Sequence, residues 1–178
     1  MRANSKRCGA VAMSSAIFAV VLLLGALLPG KSAGQAQQEI IAAGKLKVAG
    51  RTMRCGRTPT LISRRFWDYG GAGGAGRKLI ILNPDKLATL PTAVRLYVYA
   101  HECGHQIYGA SEPRADCYAV RRGKREGWLT AEGMQQICSF LKDHPGDYVH
   151  PPGPVRCEKM TKCFDQHKPK RAGRGNRG

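Results

Sequence analysis

Residues 101 to 105 read His-Glu-Cys-Gly-His, and no other stretch limits the fold so sharply. Side chains four residues apart on an α-helix differ by only about 40° around the axis. On a helix, therefore, His101 and His105 can grip one metal ion. Glu102 sits one step round, close enough to a metal-bound water to take its proton. The composition of the chain would produce this pattern by accident in about 0.5% of cases. Both histidines also fall on an apolar stripe with Val94, Tyr97, Val98 and Tyr108. Buried imidazoles without partners are costly there, and a zinc ion would supply the partner.

The stripe predicts a long helix starting near Pro91, suited to the first helical position, and stopping at Gly109. A second helix should begin at Ser111 to Pro113, capped by Ser111 or Glu112, and end near Gly123. A third, from Thr130 to Lys142, carries Met134, Ile137, Cys138 and Leu141 on one face. The proline-rich stretch that follows excludes a helix until Val155, and a short last helix should include Cys157 and Cys163. Upstream, "KLKVA" and "LISRRFW" read as strands. "KLIIL", from Lys78 to Leu82, is the best strand, stopped by Asn83-Pro84, and is expected at a sheet edge. "GGAGGAG", from Gly70 to Gly76, has no following Gly-Lys-Ser/Thr and precedes a strand. That excludes a phosphate-cradling loop and leaves a flexible connector. The expected fold is α+β, a compact helix-dominated domain with a small sheet.

Arg2, Lys6 and Arg7 precede an uncharged run from Ala16 to Leu28, broken by Pro29-Gly30. Small residues follow at Gly34-Gln35-Ala36. This is the layout of a secretory signal peptide over residues 1–36. An uncleaved anchor is the lesser alternative, since the run is shorter than the ~20 residues that span a bilayer. The organisation expected is signal, domain over 37–165, and a basic disordered tail over 166–178. Cys8 leaves with the signal; Cys55, Cys103, Cys117, Cys138, Cys157 and Cys163 stay. An even set in a small exported domain reads as a disulfide framework. Cys103 and Cys117 stand on adjacent helices beside the histidines, which favours pairing them. Cys103 lies about 200° round the helix from His101 and should not ligate a metal.

The formal charge is +17. Losing Arg2, Lys6, Arg7 and Lys31 leaves 25 basic residues against 12 acidic, a net +13. That balance favours anionic partners, and for an exported chain an anionic envelope surface ranks first. A specific nucleic-acid partner is not expected, because aromatic-basic interleaving and groove-reading motifs are missing.

Catalytic zinc takes three protein ligands plus water. Glu112 and Asp116, spaced i and i+4 on the next helix, supply two carboxylates. One can bind the metal while the other receives the N–H of a ligand histidine. A continuous helix would put Glu112 about 10.5 Å beyond His105 along the axis, so the chain must turn, and Gly109 is best able to do so. The second helix should then present its start, favouring Glu112 as ligand and Asp116 as orienter. His150 and Arg156 carry no such pattern by themselves.

His-Glu-x-x-His (His101, Glu102, His105), then Glu-x-x-Ala-Asp (Glu112, Ala115, Asp116), then His-Pro with an Arg six positions on (His150, Pro151, Arg156) resembles the CAAX-prenyl-protease-like zinc metallopeptidases. The likeness spans roughly Leu79 to Arg156 and points to their soluble, exported branch. It implies a zincin-like domain with Zn2+ held by His101, His105 and Glu112. Glu102 would be the general base and Asp116 the partner behind a histidine, with His150 and Arg156 near the oxyanion. A zinc-dependent metalloendopeptidase acting on a peptide or protein substrate is the resulting expectation. The rival is a non-catalytic basic envelope protein whose metal or disulfides staple a small core.

Overall fold

The computed structural model describes residues 38–72 and 78–166. The signal-peptide expectation falls outside them, as does the basic tail except for Gln166, which is helical as the last residue of α5. The order of elements is β1 (Gln38–Ile41), β2 (Lys47–Val48), β3 (Arg51–Thr52), β4 (Thr60–Ser63), β5 (Gly70–Ala72), β6 (Ile80–Leu82), α1 (Pro84–Ala88), α2 (Thr92–Tyr108), α3 (Glu112–Glu126), α4 (Ala131–Leu141) and α5 (Gly153–Gln166). This is an α+β fold, as the sequence predicts. Among the described residues no helix is long and apolar enough to cross a membrane.

A four-stranded sheet runs β1-β4-β6-β5. β4 and β6 are parallel, with Leu61 opposite Ile81, while β1 and β5 pair antiparallel on either side. "KLIIL" therefore supplies an interior strand, not the expected edge. The edge on that side is β5, formed by the first residues of the stretch read as a connector. Glycine there serves packing. A Cβ on Gly70 would stand 2.8 Å from Val98 Cγ1 and 3.2 Å from Glu102 Cγ, so β5 lies flat against α2 because it has no side chain at that position. β2 and β3 make a separate hairpin, turned by Ala49 and Gly50, both at positive φ, as a two-residue type I′ loop requires.

Asn83-Pro84 ends β6 and also starts α1, which the sequence reading did not foresee. The Asn83 side chain accepts from the N–H groups of Asp85 and Lys86, and Pro84 occupies the first turn.

α2 is the axis of the domain. It packs against α3, α4, β2, β5 and β6, and every residue from Leu96 to Gly104 is buried. A helix enclosed on all sides is buried beyond a single stripe. Gly109 ends α2 with φ 63°, and α3 begins at Glu112, both as expected. α3 then runs past Gly123 to Gly127, whose left-handed φ of 73° closes it. Gly123 is interior because a Cβ there would sit 2.6 Å from Leu129 Cβ. α4 matches its expected span, with Thr130 as cap, while α5 starts at Gly153, two residues before Val155.

Three disulfides join Cys55 to Cys103, Cys117 to Cys163 and Cys138 to Cys157. The expected Cys103–Cys117 pair does not form. α2 and α3 touch through Gly104 and Ala115, and Cys117, two residues on from Ala115, is turned about 200° round its helix. It faces α5, and Cys103 faces the segment after the β2–β3 hairpin.

Candidate metal centre

Gly104 governs how α3 approaches α2. A Cβ on it would lie 2.7 Å from the Cα of Ala115, so the two backbones meet where other residues would hold them apart. That approach brings the first turn of α3 onto the histidines. Nε2 of His105 lies 3.1 Å from Oε1 of Glu112, Nε2 of His101 lies 3.3 Å from Oε2, and the two Nε2 atoms are 3.0 Å apart. A tetrahedral ion with bonds of about 2.1 Å spaces its ligand atoms about 3.4 Å apart. His101, His105 and Glu112 can hold a metal ion.

The protons point the same way. Nδ1 of His105 lies 2.7 Å from the Gly109 carbonyl, which can only accept, so that nitrogen carries the hydrogen and a neutral ring leaves Nε2 bare. Nδ1 of His101 lies 2.8 Å from Oδ1 of Asp116, though off the line of a directional hydrogen bond. Oε2 of Glu112 is buried without a directional hydrogen bond, and the charged groups that face it are His101 Nε2 at 3.3 Å and Arg156 Nη2 at 3.5 Å.

Behind the ligands lies a second cluster. Arg156, on α5, donates from Nε and Nη2 to the two oxygens of Asp116 at 2.9 and 2.8 Å. Its Nη2 also donates to Tyr97 Oη at 3.0 Å and stands 3.5 Å from Glu112 Oε2. The Tyr97 hydroxyl in turn donates to Asp116 at 2.6 Å. Arg156 is buried and grips Asp116 on the side away from His105. Helical spacing places Tyr97 on the apolar stripe, and its position four residues before His101 is the signal that ties it to this cluster.

Electrostatics follow from this arrangement. Burial pushes His101 down, but the carboxylates of Asp116 and Glu112 beside its two ring nitrogens outweigh it and raise the ring to about 9. The pocket favours positive charge at this nitrogen, and a metal competes with the proton for it. Burial pushes Asp116 up, yet His101 and Arg156 hold it at about 2. Glu112 is likewise held well below the carboxylate range by both histidines against its burial. Glu102 differs, because burial dominates and raises it, which suits a carboxylate meant to exchange a proton.

His150 comes from the loop between α4 and α5. Its Nε2 is 3.4 Å from Glu112 Oε1 and its side chain is 36% exposed, so it stands at the solvent side of the group. It is outside the set whose ligand atoms all lie within 4.8 Å of one another. Nδ1 lies 3.0 Å from both oxygens of Asp147, a residue the sequence reading passed over. No protein-family model, curated protein or solved structure matches the chain.

Proposed function

We propose that the chain is an exported zinc-dependent metalloendopeptidase of the CAAX-prenyl-protease-like kind. The observation that carries this reading is the convergence of His101, His105 and Glu112, with Glu102 next to them in sequence and a raised affinity for protons. Two imidazoles and one carboxylate are a donor set that suits zinc over calcium or magnesium, which prefer all-oxygen shells. Zinc held there would act as a Lewis acid, lowering the pKa of a water to about 7 and polarising a peptide carbonyl.

The chain's own groups would do the rest. Glu102 takes the proton of the attacking water and delivers it to the leaving amine. His150, flanked by the carboxylates of Asp147 and Glu112, keeps its Nδ1–H on Asp147 and, when the ring carries both protons, donates from Nε2 to the developing oxyanion. Asp116, clamped by Arg156 and Tyr97, keeps His101 oriented. Among the described residues β5 ends the strand order, and its Gly70 stands beside Glu102, so an extended peptide pairing with β5 would pass the general base. Complete pairing of the six cysteines from 55 to 163 supports an oxidising compartment, and the basic surplus supports an anionic envelope as its surroundings.

Zinc content measured together with proteolysis by the wild type and Glu102→Gln tests the reading. Equal turnover by the two proteins would return the chain to the rival, a non-catalytic envelope protein with a structural metal.

A further inference from the structure

The loop carrying His150 is fastened more tightly than its proline content requires. Oδ1 of Asp147 accepts the backbone N–H groups of Val149 and His150, each at 2.7 Å. The Asp147 N–H donates to the His150 carbonyl at 2.9 Å, closing a four-residue turn. At its base His144 donates to Leu141 and Gly153 to His144, both at 2.9 Å. The Cys138–Cys157 bridge then ties the two flanking helices together. Tyr148 and Val149, between the acid and the histidine, are exposed, so apolar packing does not explain the turn. Its product is one ring held at Nδ1, with Nε2 turned toward Glu112.

We infer that Asp147 is the positioning residue for His150, fixing the ring so that Nε2 faces the carbonyl under attack; this rests on the peptidase reading above. A part-exposed imidazole on a loop otherwise rotates, and a misaimed donor loses its preference for the transition state. Asp147 touches neither substrate nor metal. Its effect belongs in kcat, with KM and zinc content left as they were.

The test compares Asp147→Ala, Asp147→Asn, His150→Ala and the double alanine variant. Asp147→Ala should lower kcat about tenfold or more at unchanged KM and zinc stoichiometry. Asp147→Asn, which retains an acceptor for Nδ1 and the turn, should keep most of the turnover. In the His150→Ala background, Asp147→Ala should cost nothing further, because the two act as one unit. A readout independent of turnover is the ring N–H of His150 in nuclear magnetic resonance of the zinc-loaded protein. It should exchange slowly in the wild type and in Asp147→Asn, and fast in Asp147→Ala. An unchanged ring N–H in Asp147→Ala, or an equal further loss of kcat in the double variant, overturns the inference. Failure of the peptidase reading shows separately, in Glu102→Gln, while the ring signal still judges Asp147.

Discussion

Arg156 forks onto Asp116, with Nε and Nη2 at 2.9 and 2.8 Å from its two oxygens, so a cation on the last helix grips the acid that faces His101. Arg156→Ala leaves that carboxylate buried without its counter-charge. Breaking a buried pair in this way costs about 3–5 kcal/mol. The urea midpoint should fall accordingly, at unchanged slope. Arg156→Lys keeps the charge but loses the planar fork and should fall between the two.

The two carboxylates of α3 should separate in metal binding. Both oxygens of Glu112 face the imidazoles, whereas Asp116 stands behind His101. Asp116→Ala should weaken zinc about 10–100-fold, and Glu112→Ala by more, in competition with a chelating dye. The reverse order would reassign the third ligand.

Glu102→Gln removes a proton acceptor without touching a ligand. Zinc should bind at the wild-type stoichiometry, and peptide hydrolysis should drop about 10²–10⁴-fold. Loss of the metal along with activity would give Glu102 a structural role instead.

Gly104→Ala sets helix propensity against packing. Alanine favours the helix by up to ~1 kcal/mol. Its methyl, however, would meet Ala115 backbone at 2.7 Å, and overpacking a buried contact costs about 1–3 kcal/mol. The variant should be destabilised and should bind zinc less tightly, since Glu112 is pushed from the histidines. A more stable Gly104→Ala protein would show that the helices do not meet there.

Peptide mapping without reduction should recover three pairs, 55–103, 117–163 and 138–157. Replacing Cys138 and Cys157 by serine opens a loop of 19 residues, which costs about 3 kcal/mol in the chain-entropy account.

What the sequence disclosed was local. The span of α2, the turn at Gly109 and the α3 carboxylates follow from helical spacing and glycine's conformational freedom, properties carried by a few neighbouring residues. Relations across the fold were hidden. The partners of Cys103 and Cys117 depend on which helix faces meet, and that is decided by Gly104 against Ala115. β6 became interior because β5 covers it, using a glycine run whose flatness leaves no periodic pattern. Tyr97 read as core, and it is core, yet its hydroxyl belongs to the polar cluster behind His101. Asp147 forms a turn with His150 in a stretch where neither helical nor strand periodicity applies.

The clamp on Asp116 also has a temporal meaning. A chain emerging from its N-terminus presents Asp116 forty residues before Arg156, and α5 also carries Cys157 and Cys163, the closing halves of two bridges. A nascent or clipped chain that stops short of α5 has both α3 carboxylates but not the guanidinium that makes their burial tolerable. The candidate metal group is thus completed only once α5 has been made and docked.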